Sequence, residues 1–454
     1  MHLDLSRLLN PEALSDRPHE ILKGGERRIL SALMETILLE AADRDVREKW
    51  QASQVANIVR HAHARSAFWR SRLTPLPVTP NDFARLPALT RQDLIRQVET
   101  EGSLIQPHDG LKVHRHRTSG SSGTPVQFFV TDANENYNIV RTQMQSVLTG
   151  QVQLSRMRFR AEFSLPDPGF ELEQKERAIG ETGRRGIFRP VDAFVVRYGH
   201  FKPRKLLKAI AKLQVPVWIS SPGFIEVMLS YLGAEDLHRA GLRHWLCMSG
   251  RIPDDVRAEI TSANIEIHSS YSSEEIGSIG AECREHPHHY HVSASNVVVH
   301  PSKETIVHDG VACNRILVTH LHAYATPLIK YDLGDLGRVL HRCPCGFDGQ
   351  TIADLAGRVS GSLVHADGRR SAFIMQNRKL VEIGGIKQYR ARQVDYTKVI
   401  VDVVPEGDGS AIRERLHSYL QTVAGPGIEV ELRFCEEIDW GGAAKRLGFR
   451  SEIA

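Results

Sequence analysis

"TSGSSGTPVQFF", residues 118–129, is a run of small and hydroxyl side chains that ends in a proline and then an apolar stretch. A segment of this kind is either a flexible linker or a loop shaped to hold an anion. Glycine, serine and threonine together can turn several backbone N–H groups and hydroxyls toward one point, which nests a phosphate. "KVHRHRT" precedes the loop and "PVQFFVT" follows it, so it either joins two strands as a hairpin or stands between a strand and a helix. It lacks the G-x-x-x-x-G-K-[ST] pattern of a Walker-type loop. Taken alone it is equally a solvent-exposed Ser/Gly turn, and the rest of the chain has to decide.

The chain has 454 residues, which is long enough for two or more domains. Apolar residues make up 41% and charged residues 25%, the balance of an ordinary globular protein. A formal net charge of +4 is too slight to argue for nucleic acid or a membrane surface. The N-terminus, "MHLDLSRLLNPEALSDRPHE", has no basic stretch leading into an apolar one, so no secretory signal is expected there. No run reaches the roughly 18 apolar residues of a membrane span. Cys247, Cys283, Cys313, Cys343, Cys345 and Cys435 are read as a reduced, cytoplasmic set rather than a disulfide framework.

Residues from about 25 to 75 read as helical, with Ile29, Leu33 and Ile37 at four-residue spacing. Pro75, Pro77 and Pro80 break the pattern, and Thr90 is placed to cap a helix that starts at Arg91. From about 112 to 340, β-branched runs such as "NVVVH" and "RILVTHL" alternate with helical stretches such as "GFIEVMLSYL" and "DDVRAEIT". That alternation predicts an α/β region with mixed sheets. After Gly361 come a strand ("KVIVDVV"), a helix ("SAIRERLHSYLQTV") with Ile412, Leu416, Leu420 and Val423 on one face, and a strand ("IEVELRF"). A compact C-terminal α+β unit of roughly 90 residues fits this order.

Set beside three later stretches, the opening loop takes on a meaning. T-S-G-S-S-G-T-P resembles the phosphate-binding signature of the adenylate-forming enzymes, the acyl-, aryl- and luciferase-type ligases. "YSSEE" at 271–275 resembles their Tyr-Gly-x-Ser/Thr-Glu motif, "YDLGDLGRV" at 331–339 their Tyr-x-x-Gly-Asp motif, and "GRVSG" at 357–361 their Gly-Arg hinge. Lys445 lies where that superfamily carries a mobile lysine. "HARSAFWRSRL", "LPALTRQDL" and the C-P-C-G string are similar to segments of the phenylacetate–CoA ligase-like branch, so the resemblance spans nearly the whole chain.

The resemblance implies an α/β protein: a large N-terminal adenylation domain (1–357, helical over 1–110) with mixed sheets flanked by helices, a hinge at 358–361, and a small mobile C-terminal α+β lid (362–454). It implies an ATP- and Mg²⁺-dependent ligase that activates a carboxylic acid, an aromatic one, as acyl-AMP and passes the acyl group to coenzyme A. Thr118, Ser119, Gly120, Ser121, Ser122, Gly123 and Thr124 would hold the β- and γ-phosphates. Glu275 would hold Mg²⁺, Tyr271 would lie against adenine, Asp335 would accept from the ribose hydroxyls, and Arg358 would sit near the same sugar or the phosphate. Lys445 would meet the charge that develops between carboxylate and α-phosphate. Read without the motifs, these residues are a surface acid, a half-buried tyrosine, a turn aspartate beside glycine and a solvated lysine.

Two further groups of residues are singled out. Cys283, His291, Cys343 and Cys345 offer soft thiolates plus an imidazole, four in number, which suits a closed tetrahedral structural zinc site, with His286 and His289 as competing nitrogen ligands. Some members of the resembled branch carry a structural zinc at comparable positions. Small, weakly polar segments at 219–227, 248–253 and 268–271 are candidates for the acyl pocket, with Ser221, Pro222, Gly223, Ser249, Gly250 and Ser270 as lining; Trp218, Phe224 and Trp245 are either its walls or, as large aromatics more often are, plain core. The expected partners are the acid, ATP and CoA, with no nucleic acid and no membrane, and a homodimer left open. Ser272, Glu274, Gly361 and the "GGAAKR" tail depart from the superfamily's pattern. Those departures keep two alternatives in play: capture of the adenylate by an amine or a carrier protein, and a non-catalytic homologue that binds nucleotide.

Overall fold

The structure is a computed structural model. It describes residues 24–77, 79–101, 113–118, 126–131, 134, 135, 137, 138, 140, 157–163, 170–177, 191–198, 203–248, 250–440 and 448–453. Helices Gly24–Ala41, Arg44–Arg65 and Ala67–Arg72 open the described chain, matching the helical periodicity. Two short helices follow, and each starts on a capping box. Thr79 and Asp82 exchange hydrogen bonds at the start of Pro80–Arg85. Thr90 and Asp93 do the same at the start of Arg91–Glu101, the position predicted from the Thr90 cap. The donors around Asp93 lower its pKa, although burial pulls the other way.

The flanks of the opening stretch are strands. β1 (Val113–Arg117) pairs antiparallel with β2 (Gln127–Thr131), with Arg117 opposite Gln127. The loop therefore closes a strand pair, which is the hairpin alternative. Thr118 and Val126 close the last rung: Thr118 N–H donates to the Val126 carbonyl at 2.9 Å, and Val126 N–H donates to Thr118 Oγ1 at 2.9 Å.

The strands that follow are β3 (Met157–Phe163), β4 (Phe170–Arg177), β5 (Val191–Tyr198), β6 (Val217–Ser220), β7 (His244–Cys247), β8 (Glu266–Ser273) and β9 (Gly277–Glu282). Next come β10 (Tyr290–Val292), β11 (Val297–His308), β12 (Val311–His320), β13 (Tyr331–Leu340), β14 (Thr351–Arg358), β15 (Ser362–Val364) and β16 (Arg370–Ala372). Among the described residues they form one sheet in the order β15-β16-β11-β12-β13-β14-β10-β9-β8-β7-β6-β3-β5-β4. The half from β8 to β5 is parallel, with helices on the connections from β5 to β6, β6 to β7 and β7 to β8. The half from β8 to β11 is antiparallel. β8 belongs to both halves and is the seam between them.

Each half has its own core. Leu206, Ile225, Met228, Trp245, Val256 and Ile260 fill the parallel half beneath helices Pro203–Leu213, Pro222–Tyr231 and Asp254–Ser262. Trp218 and Trp245 are fully buried, with their indoles bonded to the Val215 carbonyl and Ser220 Oγ. Phe224 lies in the same cluster. Of the two readings open for these aromatics, pocket wall or plain core, the structure gives the core, where indole and phenyl rings bury more apolar surface than a polar crevice offers. On the antiparallel half, Ile58, Val59 and Ala62 of the second helix pack with Leu89, Ile316 and Val318.

The last unit is a four-stranded sheet in the order β19-β18-β17-β20. Its strands are β17 (Ile386–Asp395), β18 (Lys398–Pro405), β19 (Glu429–Phe434) and β20 (Phe449–Ser451). Ile412, Leu416 and Leu420 of helix Ser410–Ala424 are buried against it, and Val423 is half-buried there. Gly425 ends that helix at φ +79°, a left-handed backbone that favours glycine. This unit meets the parallel half through helix Asn377–Ile383. Glu226 Oε2 accepts from the Asn377 backbone N–H at 2.8 Å, and Arg378 pairs with Glu259 at 2.7 Å. Burial raises the Glu226 carboxyl above its usual range, against the pull of the Asn377 donors.

Leu420 is fully buried in this third core. Leu420→Ala should lower the stability of the C-terminal unit by about 2–5 kcal/mol. Denaturant unfolding should show the loss as an early, separate transition. A single unshifted transition would contradict an independently packed core.

Candidate functional site

Tyr271, on β8, Asp335, on β13, and Arg358, which ends β14, come from three strands and meet at one point. Asp335 lies directly opposite Arg358 in the β13–β14 ladder. The Tyr271 hydroxyl donates to Asp335 Oδ2 at 2.7 Å, and Arg358 Nε lies 3.3 Å from Asp335 Oδ1. Asp335 is only 7% exposed. Burial raises its carboxyl above the usual carboxylate range, while Arg358 and the Tyr271 hydroxyl draw it back down. Burial and the adjacent carboxylate raise the Tyr271 hydroxyl well above an ordinary phenol. Burial works against the Arg358 charge, but Asp335, Tyr271 and Glu275 outweigh it and leave the guanidinium more basic than usual. Gly334, beside this rung, holds φ +77°, a left-handed backbone that favours glycine.

Glu275 follows β8 and is buried at 9% exposure. The Tyr331 hydroxyl donates to its Oε1 at 3.2 Å, and Arg91 Nη1 lies 3.6 Å from the same oxygen. Arg91 also reaches Thr118 Oγ1 at 3.3 Å. The base of the opening loop is thus tied to the glutamate by one arginine. Arg91 and Tyr331 were not among the expected site residues. The signals were present, since Arg91 directly follows the Thr90 cap and Tyr331 opens the "YDLGDLGRV" motif.

The structure brings together Thr118, Tyr271, Glu275, Asp335 and Arg358. Ser119, Gly120, Ser121, Ser122, Gly123, Thr124, Ser249 and Lys445 lie outside the described residues. Ser221, Gly250 and Ser270 are exposed just past or near the carboxyl ends of β6, β7 and β8, while Pro222 is buried at the first turn of its helix. Gly250 packs on that helix, where a Cβ would meet Pro222 at 3.3 Å. Gly223 faces Asn377, whose Nδ2 would stand 2.8 Å from a Cβ. The carboxyl ends of parallel strands are where α/β sheets open a crevice for ligands.

At the other end of the β13–β14 pair, Cys283, His291, Cys343 and Cys345 place their ligand atoms within 4.8 Å of one another. Cys345 Sγ lies 3.4 Å from His291 Nε2, and the His291 ring stacks on Phe347 with centroids 4.2 Å apart. His289 approaches Cys343 Sγ at 3.9 Å but is not in the four-atom cluster. Burial lowers the His291 imidazole to about 4 and pushes the Cys343 thiol up to about 12. A neutral imidazole is ready to ligate. The thiols would need a cation to be deprotonated.

Removing the Tyr271 hydroxyl leaves the buried Asp335 short of a donor. Tyr271→Phe should cost about 1–3 kcal/mol of unfolding free energy, read from denaturant curves. No measurable loss would show that water reaches this carboxylate freely.

No family model matches the chain, and no curated protein matches it. Solved structures do. The chain is similar to 2-hydroxyisobutyryl-CoA ligase in the postadenylation state in complex with 2-HIB-AMP, at 16% identity and TM-score 0.62 over 90% of each chain. It is similar to the same enzyme in complex with R3-HIB-AMP, at 15% identity and TM-score 0.59 over 91% of each chain. A third structure of that ligase, with 2-HIB-AMP and CoA in the thioesterification state, aligns at 17% identity and TM-score 0.52 over 91% of this chain and 92% of that one. Over about nine-tenths of its length, then, the chain has the fold of the adenylate-forming ligases.

Proposed function

We propose that this protein is an ATP-dependent ligase that joins a carboxylic acid to AMP and then transfers the acyl group to coenzyme A. The observation that carries the reading is the buried Asp335 carboxylate, held between Tyr271 and Arg358 beside the carboxyl end of the parallel strands. Asp335 would accept from the ribose hydroxyls, Tyr271 would lie against adenine, and Arg358 would reach the sugar or phosphate. Residues 118–124 would cradle the β- and γ-phosphates, with Arg91 tethering the loop through Thr118. In the first step a carboxylate oxygen attacks the α-phosphorus and pyrophosphate leaves. In the second, the CoA thiolate attacks the acyl carbon and AMP leaves. Lys445 would meet the charge of the first step, carried in on the C-terminal unit.

Glu275 fits Mg²⁺, a hard cation that is commonly held by one or two carboxylates plus substrate phosphates. The Cys283, His291, Cys343 and Cys345 atoms fit a structural zinc with no open position. The domain division follows the same reading, with residues 1–357 as the adenylation part, 358–361 as hinge, where Val359–Gly361 is a single 3₁₀ turn, and 362–454 as lid, although its first two strands, β15 and β16, edge the large sheet beside β11. The six cysteines carry no disulfide, which suits the cytoplasm. Among the described residues no helix is long and apolar enough to cross a membrane. Within the superfamily, "HARSAFWRSRL", "LPALTRQDL" and C-P-C-G favour the phenylacetate–CoA ligase-like branch. Small residues at Ser221, Gly223, Gly250 and Ser270 support a flat aromatic acid as substrate.

Acid-dependent pyrophosphate exchange into ATP tests this, run over aromatic and short aliphatic acids. Exchange with at least one acid is expected. No exchange together with no nucleotide-induced thermal shift overturns the reading. Asp335→Ala should cut kcat/KM for ATP by about 10- to 100-fold, the worth of hydrogen bonds to a charged group. Lys445→Ala should cut the exchange rate by about 100- to 1,000-fold. Thioester formation with CoA, compared with amide formation from amines, identifies the acceptor. Cys343→Ser should lose one equivalent of zinc per chain by elemental analysis and lower Tm.

A further inference from the structure

We propose that His244, Glu266 and His268 form a second divalent-metal site, of the His₂-carboxylate type, that takes a first-row transition ion such as Zn²⁺ and leaves at least one position open to solvent. The strand register builds it. β7 and β8 run parallel with His244 opposite Glu266, and Leu246 opposite His268. Side chains alternate along a strand, so Glu266 and His268 point from the same face of β8, and His244 joins them from the neighbouring strand.

Three potential ligand atoms converge there. His244 Nδ1 lies 3.3 Å from His268 Nε2 and 3.5 Å from Glu266 Oε2, and His268 Nε2 lies 3.6 Å from that same oxygen. Metal–ligand bonds of about 2.0–2.2 Å at tetrahedral angles set ligand atoms about 3.3–3.6 Å apart, so the triangle already has the size of three occupied corners. Each neutral imidazole has one N–H and the carboxylate has none, so protons fill at most two of the three mutual contacts, whereas one cation would be ligated by all three atoms at once. His268 is 6% exposed, its Nε2 faces the cluster, and its Nδ1 has no hydrogen-bond partner. Arg284 stands 3.9 Å from Glu266 Oε2 and shares the carboxylate from the outside. Glu266 is 59% exposed, so an ion can enter from solvent and keep water in the open position.

The ligands are nitrogen and oxygen, and none is shared with the Cys283, His291, Cys343 and Cys345 cluster. That difference makes the two sites separable by spectroscopy. Full-length protein stripped with chelator is titrated with Co²⁺, with bound metal counted by equilibrium dialysis. Cobalt at the thiol cluster gives a thiolate-to-metal charge-transfer band, whereas cobalt at the His₂-carboxylate cluster gives only weak d–d absorption. The expected result is a Co²⁺ equivalent without charge transfer that persists in Cys343→Ser. Glu266→Gln and His244→Gln should each weaken that equivalent at least tenfold and leave the charge-transfer band unchanged. The proposal is overturned if both variants bind Co²⁺ as the wild type does, or if folded Cys343→Ser protein binds none. Should Cys343→Ser fail to fold, the comparison of Glu266→Gln and His244→Gln with wild type decides alone.

Discussion

A carboxylate almost fully withdrawn from water is destabilising unless donors surround it. Asp335 meets that condition through the Tyr271 hydroxyl and the Arg358 guanidinium, and in doing so binds β8, β13 and β14 together. β8 is the strand at which the sheet changes from parallel to antiparallel. The carboxylate therefore stands where the helix-covered half meets the meandering half. Each partner is itself fixed by pairing: Arg358 by the ladder rung with Asp335, Tyr271 by its rung with Gly280. Loss of any one member leaves a buried charge or a buried donor without its complement.

A second layer extends this arrangement toward the opening loop. Leu89 bridges to Tyr331, with Leu89 N–H donating to the Lys330 carbonyl and Asp332 N–H donating to the Leu89 carbonyl. That bridge places helix Arg91–Glu101 so that Arg91 faces both Glu275 and Thr118. Two carboxylates, Glu275 and Asp335, are thus balanced by two arginines, Arg91 and Arg358. On the proposed reading, a polyanion arriving with its own cation would meet a neutralised cluster rather than a net negative one.

Much of this was legible from residue order. The Thr90 cap, the helix face of Ile412, Leu416 and Leu420, the strand runs near 297, 315 and 398, and the convergence of Tyr271 with Asp335 and Arg358 all follow from local periodicity or from the motifs. What was not legible depends on pairing across long stretches of chain. Nothing in "IEIHSSYSS" announces that one strand is parallel to its neighbour on one side and antiparallel on the other. Trp218 and Trp245 read either as pocket walls or as plain core, and only the covering helices decide for the core. Arg91 stands beside the Thr90 cap, but its partners, Thr118 and Glu275, are 27 and 184 positions away in sequence, and charge on a first helical turn is ordinary.

The β13–β14 pair gives the cysteine–histidine cluster a mechanical meaning. Its two strands pair from Leu340 opposite Thr351 at the loop end to Asp335 opposite Arg358 at the site end. Cys343 and Cys345 lie in the connecting loop, Cys283 immediately follows β9, and His291 is on β10, which itself pairs with both β9 and β14. A closed four-ligand metal there would clamp the loop end of the pair to the strands beside it. Pairing register is continuous along a ladder apart from its bulge, so slippage at the loop would move Arg358 away from Asp335. The metal would then have no contact with substrate and yet help to set the geometry of the carboxylate.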